Sequence, residues 1–98
     1  MRLKKVKDAK EIVQNSNYYI ENPQEKKGKW QEIFSNSNPI RIEIGMGKGK
    51  FIINMAKKYP DINFIGIEKY DSVLVKAVKQ LAELEEDIPN LKLLLFDA

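Results

Sequence analysis

Neither cysteine nor histidine occurs anywhere in the 98 residues. The first absence excludes disulfides and thiolate metal sites. The second removes the commonest neutral metal ligand and the side chain that most often acts as general base near neutral pH. No window approaches the roughly 18 consecutive apolar residues of a membrane span, and the N-terminus, MRLKKVKDAK, lacks the apolar centre of a signal peptide. The expectation is a cytoplasmic chain with no metal and no membrane partner. Its chemistry must run on carboxylates, lysines, tyrosines or a bound cofactor. Glycine is scarce as well, with five residues in all, so three of them at positions 45, 47 and 49 form a marked concentration.

What is present is the make-up of a small globular domain, 43% hydrophobic and 32% charged, with no repeat at solenoid spacing. The net charge of +3 is unevenly spread. Residues 1–58 carry 13 Lys/Arg against 6 Asp/Glu, whereas residues 59–98 carry 4 against 8. The basic half is the natural side for a polyanion. Within the first ten residues Arg2, Lys4, Lys5, Lys7 and Lys10 are opposed only by Asp8. Arg2, Lys4, Lys5 and Lys7 are therefore the candidate contacts for a polyanion such as a nucleic acid.

Along the chain, residues 1–22 show little clean periodicity and read as a basic N-terminal arm, with a short helix possible over residues 9–20. Asn22 before Pro23 marks a turn. Trp30, Ile33 and Phe34 fall at helical spacing, and SNSNP at 35–39 is a loop closed by proline. From Ile40 the pattern changes. Ile40, Ile42 and Ile44 alternate with Arg41 and Glu43, a short β-branched run that reads as a strand ending at the first glycine. Phe51, Ile52, Met55, Ala56 and Tyr59 then outline a helix stopped by Pro60. INFIGIE, Ile62 to Glu68, is a second strand. Leu74, Ala77, Val78, Leu81 and Leu84 form the stripe of a second helix, capped by Asp71 or Ser72. NLKLLLFDA is a third strand reaching Asp97.

The order strand, glycine loop, helix, strand, helix, strand is the first βαβαβ half of a doubly wound, Rossmann-like α/β sheet. Two stretches follow: 1–38, a basic arm and short helical segment, and 39–98, the N-terminal half of a cofactor-binding domain truncated after its third strand. On that reading the Ile40–Ile44 strand keeps an unpaired edge.

Ligands of such sheets bind at the carboxyl ends of the strands, near the switch point. Three acids fall there: Glu43 before the glycines, Glu68 closing strand two and Asp97 closing strand three. Gly45, Gly47 and Gly49 make GxGxG, whereas a dinucleotide fingerprint is GxGxxG and would need its last glycine where Lys50 stands. A helix N-terminus after a glycine turn offers free N–H groups to an anion, carboxylate or phosphate alike. Glu68 lies 19 residues past Gly49, where an acid can take ribose hydroxyls. The features suit a nucleoside cofactor carrying a carboxylate. A nicotinamide-dependent oxidoreductase and a non-catalytic RNA-binding fragment are the alternatives.

The segment IEIGMGKGKFI has the ExGxGxG form of the first motif of class I S-adenosylmethionine-dependent methyltransferases. More narrowly, GKW at 28–30, the stretch 38–68 and NLKLLLFDA at 90–98 resemble the bacterial tRNA (guanine-N7)-methyltransferase family. The resemblance implies S-adenosyl-L-methionine as cofactor and tRNA as substrate. It also implies site roles: Glu43 with Gly45, Gly47 and Gly49 at the methionine end, Glu68 at the ribose, and Asp97 with the Ala98 backbone beside the adenine. The family's catalytic aspartate has no counterpart among these residues and is expected beyond Ala98, so little turnover is expected of the 98-residue chain alone.

Overall fold

A computed structural model describes the backbone of residues 2–96 and the side chains of residues 8–96. In chain order the elements are helix α1 (Arg2–Gln14), a 3-10 turn (Pro23–Lys26), helix α2 (Trp30–Phe34), strand β1 (Ile40–Ile44), helix α3 (Lys50–Lys58), strand β2 (Asn63–Glu68), helix α4 (Asp71–Ala82) and strand β3 (Leu91–Leu95). The three strands form one parallel sheet in the order β1-β2-β3. Parallel neighbours need crossover connections, and α3 and α4 supply them.

Strand β2 is buried at all six positions. A central parallel strand covered on both faces must be apolar nearly throughout, which is why NFIGI carries no polar alternation before its terminal acid. On one face Phe64, Leu91 and Leu93 pack with Ile52, Ile53 and Ala56 of α3 and with Leu74, Ala77, Val78 and Leu81 of α4. On the other, Ile65, Ile67 and Leu94 form a smaller cluster with Phe34, flanked by Trp30, Ile20 and Phe96. The α3 stripe is rotated from the one read in the sequence: Ile53 is buried while Phe51 is 64% exposed. Apolar residues at 51, 52, 53, 55 and 56 cover more than half of the helix circumference, so periodicity alone did not choose the face.

The segment expected as a basic arm is built into the fold. Helix α1 begins at Arg2, well before the short helix read within residues 9–20, and it lies along α4. Ala9 and Val13, four apart and so on one helical face, join the core, Val13 with no exposure. Burying a side chain of that size contributes roughly 1.5–3 kcal/mol. The charged Lys10 and Glu11 between them masked the stripe. Beyond α1, the Leu93 N–H donates to the Tyr18 carbonyl (2.8 Å) and the Ile20 N–H to the Leu93 carbonyl (3.0 Å), so residues 18–20 line the outer edge of β3. The Tyr18 hydroxyl donates to Asp87 Oδ1 (2.8 Å) and accepts from the Ile88 N–H (3.0 Å). Burial, chiefly, pushes the Tyr18 hydroxyl pKa up.

No helix among the described residues is long and apolar enough to cross a membrane.

Candidate cofactor site

Strand β1 delivers the chain to the glycine loop at the carboxyl edge of the sheet. The loop is fastened to β2 at its start, where the N–H groups of Gly45 and Met46 both donate to the Ile67 carbonyl, at 2.8 and 3.0 Å. The Met46 side chain then turns into the core, 6% exposed, and lies over Gly66. Any Cβ at Gly66 would collide with the Met46 sulfur, so a glycine inside β2 is what lets the loop anchor sit down on the sheet.

Gly49 closes the loop with φ 83° and stands immediately before α3. A Cβ there would meet Ala77 Cβ of α4 at 2.6 Å, so the position needs glycine for conformation and for space. The Ile53 N–H donates to the Gly49 carbonyl at 2.9 Å, the first helical bond of α3. No side chain caps this helix. Its first-turn N–H groups are thus free for an anionic guest. Gln80 of α4 steadies the loop from the other side, its Nε2 donating to the Lys48 carbonyl at 2.8 Å.

Gly47, at φ 61°, aims its N–H at Glu68. Glu68, 7% exposed at the end of β2, accepts this bond on Oε1 (3.0 Å) and a second from the Tyr70 N–H on Oε2 (3.2 Å). A carboxylate has about four lone-pair sites, so acceptor capacity remains on both oxygens for hydroxyl donors. The loop is open on its outer side, where a Cβ built on Gly45 or Gly47 meets nothing within 4 Å.

The structure thus brings Gly45, Gly47, Gly49 and Glu68 together. Glu43 is not bonded to them. It lines an adjoining groove of about 380 Å³ beside β1, with Arg41, Phe51, Ile52, Met55 and Phe64 among its walls. Its Oε1 is buried without a hydrogen-bond partner, and desolvation holds its pKa above the ordinary carboxylate value. Asp97 and Ala98 lie outside the described residues, as do the side chains of Arg2, Lys4, Lys5 and Lys7. Lys48 and Lys50 are both exposed beside the loop.

Three contributors escaped the sequence reading. Gly66 carried a signal, since an isolated glycine within a strand marks a close approach. Met46 and Gln80 carried none, because each acts through a tertiary contact.

These parts set an uncapped helix start and a carboxylate with spare acceptor capacity on the open side of one loop. Among the described residues, no group of three or more His, Cys, Asp or Glu could hold a metal ion.

The family model described as "Putative methyltransferase" matches residues 37–98. Over all 98 residues the chain is 51% identical to the tRNA (guanine-N(7)-)-methyltransferase of Lachnoclostridium phytofermentans, of which it covers 45%. Proteins with the same name from Geobacillus sp. (strain WCH70) and Listeria welshimeri are 56% and 58% identical over 96% and 82% of this chain, which covers 42% and 36% of them. The chain therefore spans less than half the length of these relatives. Among solved structures, an antibiotic-related methyltransferase superposes with a TM-score of 0.60 at 21% identity over 71% of this chain, 36% of its own. The antibiotic-resistance methyltransferase Kmr gives 0.59 at 19% identity over 72%, 37% of its own. At those identities the likeness speaks for the fold, the Rossmann-like sheet of class I methyltransferases. The chain belongs to the methyltransferase family whose model it matches, and over its whole length it is similar to a tRNA (guanine-N(7)-)-methyltransferase.

Proposed function

We propose that this chain provides the S-adenosyl-L-methionine-binding half of a cytoplasmic enzyme that methylates guanine N7 in tRNA. The observation that carries the reading is the joining of Glu68 to the glycine loop through the Gly47 N–H, which sets an acid for ribose hydroxyls beside an open backbone and an uncapped helix start. When bound, S-adenosylmethionine supplies an electrophilic methyl group on a sulfonium. The N7 atom of guanine has a free lone pair, so the protein has little proton transfer to perform. Its task is position, and orientation alone can be worth effective molarities on the order of 10⁵ M or more.

Within this chain each part takes one share of that task. Glu68 orients the ribose. Gly45 and Gly47 admit the ligand to the backbone, and the α3 N-terminus takes the carboxylate end. Glu43, in the groove next to the loop, would hold the ammonium of that same end. Asp97 and the Ala98 backbone are assigned to the adenine. Arg2, Lys4, Lys5 and Lys7 on α1, and Lys48 and Lys50 beside the loop, supply phosphate contacts that carry no sequence information.

Calorimetric titration with S-adenosylhomocysteine and with NADH tests the cofactor assignment. Binding of the first and not the second is expected; NADH binding alone would overturn it. Assay of 7-methylguanosine in tRNA should detect little product from the 98-residue chain, and robust turnover would overturn its assignment as the donor-binding half.

A further inference from the structure

The glycine loop is held by β2 at its start and middle, through the Ile67 carbonyl and Glu68. Its last peptide, between Lys48 and Gly49, is held differently. The Gly49 N–H donates to the Met46 carbonyl at 3.1 Å, and the Lys48 carbonyl accepts from Gln80 Nε2 of α4 at 2.8 Å. Among the described residues no other donor reaches that carbonyl. Ala77, fully buried, lies against Gly49. Positions three apart share a helix face, so one face of α4 seats the end of the loop, and both sides of this contact belong to the described residues.

A planar peptide unit can turn over by opposite rotations of the ψ before it and the φ after it. The residue after this one is glycine, at φ 83°. Glycine takes φ of either sign, so steric limits on the backbone do not choose between the two states. The peptides before Gly45 and Gly47 have the same freedom, but β2 takes their N–H groups. For the Lys48–Gly49 peptide the choice falls to Gln80 and the Met46 carbonyl. As observed, the Lys48 carbonyl faces α4. Turned over, it would point back into the loop against the Met46 carbonyl, and an anionic group seated there would meet the negative end of a peptide dipole.

We infer that Gln80 is a positioning residue for the amino acid end of the methyl donor: it locks the Lys48–Gly49 peptide in the state that a carboxylate can use. The inference rests on the reading of this loop as the S-adenosylmethionine site, and it divides that site in two. Glu68 serves the ribose through its own carboxylate. Gln80 touches no ligand and acts through the Lys48 carbonyl. Because the lock is set before any ligand arrives, losing it shifts the population toward the unusable state and weakens binding by that fraction. The loss falls on ligands that carry the amino acid end and spares those that lack it.

Gln80→Met tests the lock. Methionine matches glutamine closely in length and helix propensity but has nothing to donate, and thermal unfolding of the variant should be nearly unchanged. Calorimetric titration of the full 98-residue chain takes two probes: S-adenosylhomocysteine, and 5′-methylthioadenosine, which shares the nucleoside and lacks the amino acid end. Affinity for the first should fall about three- to tenfold, the worth of one hydrogen bond, with the second unchanged. Equal losses for both would reduce Gln80 to a structural residue, and no loss for either would show that the loop does not need it; each overturns the proposal. If the unaltered chain binds neither probe, the cofactor reading is overturned instead. The lock is then decided without a ligand, by relaxation dispersion at the Gly49 amide. Two-state exchange is expected in Gln80→Met and none in the unaltered chain, and a variant without exchange overturns the lock.

Discussion

The Glu68 Oε1 atom accepts a hydrogen bond from the Gly47 N–H at 3.0 Å, across 21 residues of sequence. It ties the end of β2 to the loop after β1, so loop shape and strand-end acid are a single unit. Glu68→Gln tests this unit. An amide presents one acceptor oxygen, and its NH₂ group would face either the Gly47 or the Tyr70 N–H, donor against donor. Charge-assisted bonds exceed neutral ones in strength, so a stability loss of about 1–2 kcal/mol in urea unfolding is expected. Affinity for S-adenosylhomocysteine should fall tenfold or more. Unchanged affinity would remove Glu68 from the ribose.

The loop glycines should separate into two kinds. Gly49→Ala combines a left-handed backbone with a collision against Ala77, and strain plus overpacking should cost roughly 2–4 kcal/mol of stability. Gly47→Ala meets open space, so its cost in the fold should be near 1 kcal/mol, while its methyl group would occupy room that the proposed ligand needs. Thermal unfolding and ligand titration, run on both variants, should rank them in opposite orders. The same ranking in both measurements would mean that the loop has no separate ligand side.

The contrast explains how much could be read in the residues alone. Strand and helix periods, Pro60 as a stop, and glycines before a helix are local signals, and from them the βαβαβ order and the loop with Glu68 were legible. The strand β1 was legible too, through its alternating isoleucines. What escaped was non-local: Val13 against α4 across a lysine-rich segment, Met46 over Gly66, Gln80 on the Lys48 carbonyl. Glu43 sits between these cases. Its place before the glycines was visible, but its position in a groove off the loop depends on which face of β1 turns toward α3.

Glu43 gives a prediction in pH. Burial raises its pKa in the folded chain above the unfolded value, so ionisation is disfavoured by folding and the penalty works against stability. The penalty is absent below the ordinary carboxylate range. It grows as pH rises through that range toward the raised folded value, and is constant above it. Glu43→Gln should therefore stabilise the chain at neutral pH, with the gain vanishing as pH falls below the carboxylate range. Urea titrations across pH measure the difference. A gain that does not change with pH would show that the carboxylate charge is not its source.

Asn90 is the polar side chain on which the connection from α3 to β2 depends. Its Nδ2 donates to the carbonyls of Ala56 (2.9 Å), Tyr59 (3.1 Å) and Ile62 (2.9 Å), and the residue is 7% exposed. Terminal carbonyls of a helix lack intrahelical donors, and buried ones left bare cost about 1–3 kcal/mol each, less where water can reach them. Asn90→Ala should therefore destabilise the chain by about 2–4 kcal/mol in urea unfolding. Asn90→Leu, which fills the space without donating, should not recover the loss. Hydrogen exchange should quicken first in the last turn of α3 and in residues 59–62, since those amides hold the segment the asparagine gathers. Recovery by leucine would mean that volume, and not the three donated bonds, is what the site requires.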